Sequence, residues 1–276
     1  MRKISLVHVV ALLLFAVSGQ AQEAKPIKAL MFVGGCCHDY KTMPGYLAKQ
    51  VGELANVKFD IRLMENAAEM AQVFKDAHFA DGYDLVVYDI CFGEAWQDGD
   101  YDNVLKVAAA GKPAVFVHCA MHNYRPPRDA KSPEAKNRAQ REAIADAKWH
   151  AIDGMDTRVH DKYEPFTVEK VAKDQPIVKS WPDTWTTPGD ELYNTIKMMP
   201  TATPLLQAKS PISGKVHTVG WINDYKGTRI FCTTLGHDMK TGATPEYHRL
   251  LAYGILWACG KLGDDGNPVA GYEGSK

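Results

Sequence analysis

Three histidines of this chain stand at the ends of apolar runs, and their residue type can support several kinds of chemistry. His38, His118 and His237 each follow or close such a run. An imidazole titrates near neutral pH, so it can serve as a base, an acid or a metal ligand. The runs predict buried strands of a parallel sheet, whose carboxyl ends meet at one edge. We therefore expect the three side chains to converge on a site for proton transfer or metal binding.

Carboxylates accompany these histidines and complete a predicted acid–base set. Asp238 directly follows His237, and Asp89 lies near the end of a further apolar run, 84–90. A carboxylate that accepts a hydrogen bond from an imidazole fixes its tautomer and orientation. We expect His118 or His237 to act as the catalytic base, with Asp238 or Asp89 orienting it.

The elements that must position these groups alternate between strands and helices. The predicted strands are 28–34, 57–64, 84–90, 113–118 and 229–235, and the predicted helices are 42–54, 67–74, 101–110 and 245–259. Such alternation is typical of βαβ crossovers, and it indicates an α/β fold with a mainly parallel sheet. Ligands of these folds bind outside the carboxyl ends of the strands, where the histidines lie.

The middle and the end of the chain depart from this pattern. The region 123–161 is rich in turns, with a polar helix predicted over 132–149. It is either a solvated surface insertion or a lid over the strand ends. We predict short strands from 163 to 225, a single domain over 22–262 and a loose tail over 263–276.

The charge balance argues against a nucleic-acid-binding protein, and the first residues indicate export. The chain has 32 Lys and Arg against 33 Asp and Glu, so it lacks the positive charge of a nucleic-acid-binding protein. Residues 1–21 combine a basic start, a short apolar run and small residues before a cleavage point after Ala21, as in a secretory signal peptide. We expect a periplasmic or secreted protein without stable membrane insertion. An uncleaved N-terminal anchor is the alternative.

Six cysteines raise the question of disulfides in an exported chain. A core of this size does not need them. Cys91, Cys119, Cys232 and Cys259 lie in apolar runs, where cysteine behaves as a small buried hydrophobe. We expect these four to be free thiols, and we leave open the state of the adjacent cysteines 36 and 37.

Several short motifs, taken together, resemble the ThuA-like (trehalose utilisation) family. They are Gly35…His38-Asp39-Tyr40, Val117-His118, Val159-His160, Asp190-Glu-Leu-Tyr193, Gly220-Trp221, Gly227-Thr-Arg229 and Thr234-Leu-Gly-His-Asp238, with the closing helix Tyr253-Gly-Ile-Leu-Trp-Ala258. The Leu-Gly-His-Asp block and that helix are the more specific of these. The resemblance covers Lys28 to about Leu262.

The resemblance implies a flavodoxin-like three-layer sandwich similar to class I glutamine amidotransferases. It also implies a role in carbohydrate catabolism, particularly of 3-keto-glycosides made by a partner sugar 3-dehydrogenase. The family's histidines fall on His38, His118, His160 and His237. A divalent metal, zinc foremost, is expected on the first three, and no nucleotide cofactor is indicated. This chain departs from the family in its cysteine pair before His38 and in the basic, proline-rich loop after His118.

These histidines and carboxylates could act on a 3-keto-glycoside by more than one reaction. A ketone at C3 acidifies the C2 proton, so a base can remove it and expel the C1 substituent, whereas a metal-activated water would hydrolyse the bond. Lyase, hydrolase and isomerase activities therefore stay open. For substrate binding we expect Asp39, Tyr124, Glu191 and Trp221, of which Tyr124 and Trp221 would stack on a sugar face. Core packing is the alternative for Trp221.

Two other functions are alternatives. Cys119 follows the fourth strand where amidotransferase-like proteins place a nucleophile, with His237 as its partner. The sharp turn at such a nucleophile requires small residues two positions away, and Val117 and Met121 are bulky. A non-catalytic sugar-binding protein would use the histidines only to hydrogen-bond hydroxyl groups.

Overall fold

The computed structural model describes residues 24–93, 101–123 and 148–275. The strands in this part of the chain are β1 (Ile27–Gly35), β2 (Val57–Met64), β3 (Leu85–Cys91), β4 (Ala114–Val117), β5 (Met155–His160), β6 (Thr167–Lys170), β7 (Thr184–Thr186), β8 (Tyr193–Met198), β9 (Ala202–Lys209), β10 (Val216–Tyr225) and β11 (Thr228–Thr233). The helices are α1 (Met43–Leu54), α2 (Ala67–Phe74), α3 (Asp102–Ala109), the 3-10 helix η1 (His118–His122), α4 (described over 148–153), α5 (Met239–Gly242) and α6 (Pro245–Ala258).

Side chains of β1 alternate between two hydrophobic cores, one on each face of the sheet. Ala29, Met31 and Val33 lie in the core that includes residues of α1 and α6. Leu30 and Phe32 lie in the core that includes residues of α2 and α3. The period of two along a strand thus buries both faces, and helices cover each of them. This arrangement confirms the predicted α/β sandwich.

The large sheet is parallel on the side that carries the histidines. Its strand order is β2-β1-β3-β4-β11-β10-β9-β6-β7, and β5 pairs with β8 in a separate two-stranded sheet. The first five strands of this order are parallel neighbours, and the last four extend the sheet through antiparallel pairs. The carboxyl ends of β1, β3, β4 and β11 therefore lie at one edge.

Local sequence signals set the starts of the helices. The Asn66 side chain accepts a hydrogen bond from the Glu69 N–H at the start of α2, and Thr244 does the same for Tyr247 at the start of α6. Pro245 occupies the first turn of α6, where no N–H is needed. β2 and α2 occupy their predicted ranges, and β1, β3, β4, β11, α1, α3 and α6 differ from the predicted ranges by one or two residues at their ends. The helix predicted over 132–149 is described from 148 and continues to 153.

The described end of the predicted insertion belongs to the core. Trp149, Ile152 and Met155 have no exposed surface. The Trp149 ring lies edge-on to Tyr88 of β3 and Phe116 of β4, at 6.0 and 5.4 Å between centroids. Residues 148–155 are therefore neither a solvated insertion nor a lid, because their apolar side chains pack against the sheet. Residues 124–147 lie outside the described residues.

The C-terminal tail is docked, so the prediction of a loose tail is wrong for its described residues. The Asn56 N–H donates to the Tyr272 carbonyl (3.0 Å), and its side-chain amide donates to the Gly271 carbonyl (2.9 Å). The Ser275 N–H donates to the Gly52 carbonyl in the last turn of α1 (3.3 Å). The last turn of a helix leaves carbonyl groups without hydrogen-bond partners inside the helix. The tail donates a hydrogen bond to one of these carbonyls, that of Gly52.

Disulfides join four of the six cysteines: Cys36 with Cys37, and Cys91 with Cys119. The free thiols are Cys232 and Cys259, as predicted. The same prediction is wrong for Cys91 and Cys119. Because β3 and β4 are neighbours in the sheet, the Cα atoms of this pair lie 5.1 Å apart, within the usual range for a disulfide.

Export and membrane association are not decided by the described residues. The predicted signal peptide, 1–21, lies outside them. Within them, no helix has the length and apolar character to cross a bilayer. Export and cleavage therefore stay predictions.

Candidate active site

A glycine turn carries His38 from β1 to the edge of the sheet. Gly34 and Gly35 have φ angles of 143° and 115°, a region that favours glycine. A Cβ on Gly35 would collide with the carbonyl group of Cys91 on the neighbouring strand. This close approach lets the Cys36 N–H donate to that carbonyl (3.0 Å) and fixes the turn that presents His38.

His118 leaves β4 in a left-handed conformation and is almost wholly buried. Its φ is 46°, which is uncommon for a residue other than glycine, and it is 1% exposed. Its Nδ1 lies 2.6 Å from the Thr234 carbonyl oxygen and therefore carries a proton. Its Nε2 lies 3.4 Å from Oε2 of Glu191 and 3.4 Å from the hydroxyl of Tyr193. The backbone and two side chains thus hold the ring.

Glu191 lies at the centre of the site. Its Oε2 is 3.4 Å from Nε2 of His118 and 3.4 Å from Nδ1 of His237, and its Oε1 is 3.6 Å from Nε2 of His160. The His38 ring packs edge-on against the rings of His118 and His237, with centroids 4.8 and 4.7 Å apart. One carboxylate, only 14% exposed, is therefore shared by three histidines, and a fourth packs against two of them. We call these five residues the Glu191 cluster.

Asp190 fixes the loop that carries Glu191. It is fully buried, and its Oδ2 accepts a hydrogen bond from the Gly236 N–H (2.8 Å). Its Oδ1 accepts from the N–H groups of His237 (3.2 Å) and Glu191 (2.8 Å). This one carboxylate ties the Glu191 loop to the turn after β11. At Gly236, φ is 107° and a Cβ would collide with the hydroxyl of Tyr247.

The contacts within the cluster favour the charged forms of His118 and Glu191. Burial disfavours both charges, but the hydrogen bond between the two residues and the charge of Asp190 outweigh it and raise the pKa of His118. Burial likewise opposes ionisation of Glu191, yet hydrogen bonds from His118 and His237 hold its pKa well below the usual range. The pair is therefore poised as imidazolium and carboxylate.

The pKa values of His38 and Asp89 are shifted in the directions that favour their neutral forms. Burial, followed by the positive charges of His118 and His237, lowers the pKa of His38 to about 4. Burial raises the pKa of Asp89 to about 7, against the opposing effect of His118. The Nδ1 of His38 lies 3.1 Å from the His237 carbonyl oxygen. A neutral His38 thus donates through Nδ1 and keeps a lone pair on Nε2.

Tyr193 orders the rings of the cluster by stacking. Its ring stacks nearly parallel to that of His122, at 4.1 Å between centroids and 7° between planes. It also stacks on His160, at 5.6 Å and 24°. The Nδ1 of His160 lies 2.8 Å from the carbonyl oxygen of Asp161, which turns Nε2 toward Glu191.

Three ring nitrogens form a set that fits a divalent metal. One nitrogen each of His38, His118 and His237 lies within 4.8 Å of the others. The Nδ1 atoms of His38 and His118 contact backbone carbonyls, as the second nitrogen of a metal-bound histidine usually does. Imidazole nitrogens suit zinc. His237, and not the predicted third ligand His160, belongs to this set, and His160 lies at the end of β5 and faces the other oxygen of Glu191. Metal binding itself stays a prediction.

The two carboxylates expected to orient the base do not contact the histidine rings. Asp238 accepts hydrogen bonds from the Lys240 N–H (2.8 Å) and from the Tyr163 hydroxyl (2.8 Å). Asp89 is buried, and among the described residues no hydrogen bond joins it to His118, whose charge only lowers its pKa. The orienting role predicted for Asp238 and Asp89 is therefore wrong. Glu191, predicted to bind substrate, makes those contacts instead.

Trp221 and Asp39, two of the other predicted substrate-binding residues, make their polar contacts outside the cluster. Trp221 has no exposed surface, and its indole donates to the Asp153 carbonyl (2.6 Å), so its predicted stacking on a sugar is wrong. Asp39 is exposed, and its Oδ1 accepts two backbone N–H groups, at 3.1 and 3.0 Å, in the turn before α1. Tyr124 lies outside the described residues.

Cys119, the nucleophile of the alternative mechanism, is part of a disulfide. Cys119 is bonded to Cys91, so its sulfur is not a thiolate. Because the thiolate is the nucleophilic form of cysteine, the alternative based on Cys119 and His237 is wrong for this oxidised state.

Sequence reasoning misses four residues of the site: His122, Tyr163, Asp190 and Tyr193. Two of them, Asp190 and Tyr193, belong to the Asp190-Glu-Leu-Tyr193 motif, so the sequence did contain a signal for them. In the structure both are buried, on either side of Glu191 along the chain. His122 and Tyr163 carry no comparable signal. Their contacts depend on β8 and on the turn after β11, which only the tertiary structure brings near them.

Several surface cavities of the described part lie away from the cluster. Two of them, of about 530 and 520 Å³, are both lined by Asp84 and Pro113, which directly precede β3 and β4. They therefore open at the amino-terminal edge of the parallel strands, opposite the histidines. Convergent polar groups, and not cavity volume, mark the candidate active site.

Comparison with known proteins places the chain in a family and shows relatives of its fold. A family model described as "ThuA: Trehalose utilisation" matches residues 28–258. The chain is similar to a solved ThuA-like protein from Parabacteroides merdae ATCC 43184, with 21% identity and a TM-score of 0.65 over 90% of this chain and 97% of that one. It is also similar to a ThuA-like protein from Bacteroides uniformis ATCC 8492, with 15% identity and a TM-score of 0.62 over 90% and 98%.

A more distant similarity links the fold to amidotransferases. A Thermoplasma acidophilum protein described as a component of GMP synthase has 12% identity and a TM-score of 0.51, over 86% of this chain and 96% of that one. At such identities the solved structures show the fold alone, a mixed α/β sandwich with glutamine amidotransferase-like neighbours. No curated protein matches the chain.

Proposed function

The chain belongs to the ThuA, or trehalose utilisation, family, and we propose that it is a carbohydrate-processing enzyme that cleaves 3-keto-glycosides. The contact of His118, His160 and His237 with the carboxylate of Glu191 carries this proposal. Binding a sugar requires no such set of proton-transfer groups. We propose further that the enzyme is exported, on the pattern of residues 1–21, and that a sugar 3-dehydrogenase supplies the ketone.

Elimination is the reaction that makes the fullest use of these groups. The C3 ketone acidifies the hydrogen on C2, and a base takes that proton to leave an enolate. The enolate collapses to an enone as the C1–O bond breaks. The departing oxygen takes up one proton, so the products are an unsaturated keto-sugar and an alcohol.

The geometry suggests a division of labour between the histidines. His237 is the base, because its Nδ1 faces Glu191 and its Nε2 is left for the substrate. The imidazolium of His118, buried against Glu191, stabilises the negative charge of the enolate. His160, with a side chain 40% exposed, returns a proton to the leaving oxygen. Glu191 positions all three rings and does not itself react.

A bound divalent metal would change the roles of these residues, although the reaction would still take place at the Glu191 cluster. His38, His118 and His237 would hold it, and it would supply Lewis acidity toward the ketone oxygen. Glu191 and His160 would then be the groups left for proton transfer, since neither belongs to that set of three ring nitrogens.

The test uses aryl 3-keto-glucosides of both anomers beside the parent aryl glucosides, which lack the acidic C2 hydrogen. We expect the purified chain to release the aryl alcohol from a keto-glucoside only, and a substrate deuterated at C2 to lose its deuterium to water. Equal cleavage of the parent glucoside, or aryl release with deuterium retained at C2, would contradict elimination. Saturable binding without any release would establish the sugar-binding alternative.

A further inference from the structure

Four cysteines form a continuous sulfur path from solvent to the histidines. Cys36 and Cys37 are exposed and bonded to each other, whereas the bonded pair Cys91 and Cys119 is 8% and 7% exposed. The Sγ atoms of Cys36 and Cys91 lie 3.8 Å apart, close to van der Waals contact between two sulfurs that belong to different disulfides. The second disulfide also borders the Glu191 cluster, since Cys91, Cys119 and His38 offer atoms that all lie within 4.8 Å of one another.

The sheet itself enforces this approach. Gly35 pairs with Cys91 in the register of β1 and β3, and the Cys36 N–H donates to the Cys91 carbonyl (3.0 Å). A Cβ at Gly35 would collide with the same carbonyl, so glycine is needed for the two strands to come this close. The contact between the sulfurs is therefore fixed by backbone geometry and not by a flexible side chain alone.

We propose that these cysteines form a thiol–disulfide exchange relay, in which an external dithiol reduces Cys36–Cys37 and Cys36 then passes the exchange to Cys91–Cys119. In the first step the dithiol becomes a disulfide, and the bond between Cys36 and Cys37 becomes two thiols. In the second step the Cys36 thiolate attacks Sγ of Cys91, the Cys36–Cys91 bond forms, and the Cys91–Cys119 bond breaks. Cys119 leaves with the electron pair and takes up the proton that Cys36 gave up.

The relay gives the chain two states beside the Glu191 cluster: one with Cys91 bonded to Cys119, and one with Cys91 bonded to Cys36 and a free thiol at Cys119. The reductant enters at the exposed pair, and the thiol is delivered at Cys119, the residue after His118. A dithiol in solution has little access to the buried disulfide, so Cys36 is the entry point. This activity does not depend on the proposed cleavage of glycosides.

Two single variants test the relay because they differ only in which exposed cysteine survives. The full chain is equilibrated at one pH without reductant, quenched in acid, unfolded and alkylated, and its disulfides are mapped by mass spectrometry. In Cys37→Ser, the free Cys36 reaches Cys91, so we expect a Cys36–Cys91 linkage and about one label per chain at Cys119. In Cys36→Ser, we expect the Cys91–Cys119 linkage intact and the label at Cys37. Cys232 and Cys259, which are free in all forms, calibrate the labelling.

The wild-type chain supplies the second arm of the test. With one equivalent of dithiothreitol we expect labels at Cys37 and Cys119 and a Cys36–Cys91 linkage. The proposal is overturned if that linkage forms in neither the reduced wild type nor Cys37→Ser. It is overturned equally if the oxidised wild type lacks either of the two disulfides, or if Cys119 is released to the same extent in Cys36→Ser.

Discussion

The carboxylate of Glu191 determines how the neighbouring imidazoles share protons. It contacts His118 and His237 through one oxygen and His160 through the other. Its negative charge supports an imidazolium at His118, while His38, next to two other rings, has a pKa lowered to about 4 by burial and by their charges. One site thus holds a charged and a neutral imidazole side by side. Such a difference in environment is how a protein assigns acid and base roles to like groups.

Metal binding by the cluster can be tested by metal content alone. After loading with zinc and desalting, we expect the wild-type chain to retain about one equivalent, and His38→Ala to lose most of it, since three histidines are the usual minimum for such a site. His78→Ala is the matched control, because His78 is 79% exposed and pairs with Asp81. Zinc measured by mass spectrometry at equal levels in the two variants would contradict the assignment of His38 as a ligand.

Asp89 should make the fold less stable as the pH rises. Its pKa is raised by burial from 3.8 to about 7, so the folded state holds a proton that the unfolded state has released. Stability is therefore lost between pH 4 and 7, by at most about 4 kcal/mol, and stays lower above that range. We expect Asp89→Asn to remove this loss and to exceed the wild type in unfolding free energy at pH 8.

The measurement for Asp89 is urea unfolding at pH 5 and pH 8. The control is Asp264→Asn, which replaces an exposed carboxylate and should keep the pH dependence of the wild type. The same fall in stability from pH 5 to pH 8 in Asp89→Asn and the wild type would show that Asp89 titrates in its ordinary range.

Strands and helices with strong periodic signals could be predicted from the sequence, whereas contacts between distant elements could not. The runs at β1, β3, β4 and β11 predicted both the fold and the edge where the histidines meet. The disulfide between Cys91 and Cys119 depends on β3 and β4 being neighbours, which no local pattern records. Trp221 looked suited to a sugar face, but its strand is packed between other elements, and its side chain is buried.

The turn after β11 should tolerate no side chain at Gly236. A Cβ there would collide with the buried hydroxyl of Tyr247, and φ is 107°. Gly227→Ala is the matched control, because Gly227 also has a positive φ, 86°, but open space around it. We expect the control to lose about 1 kcal/mol of unfolding free energy and Gly236→Ala to lose at least about 2 kcal/mol more. Equal losses in chemical denaturation would refute the steric role.

The large sheet has a parallel half, whose strands β1, β4 and β11 lead into His38, His118 and His237, and an antiparallel half that extends it. Glu191 comes from the loop before β8, outside the large sheet, and Asp190 anchors that loop to the turn after β11. The histidines could be predicted from strand ends, and Glu191 was predicted as a substrate-binding residue, but its contacts with three of the histidines could not be predicted. The Glu191 cluster is thus assembled from segments that lie far apart in the sequence and not from one motif.

The most direct test of this account is the kcat/KM for release of the aryl alcohol from a 3-keto-glucoside, compared between Glu191→Gln and Glu169→Gln. Both variants replace a carboxylate by an amide of equal size, but Glu169 is exposed on β6. We predict that Glu191→Gln lowers kcat/KM by at least about 100-fold, because the rings lose their shared charge, and that Glu169→Gln matches the wild type. An unchanged kcat/KM in a folded Glu191→Gln chain would contradict the central role of Glu191.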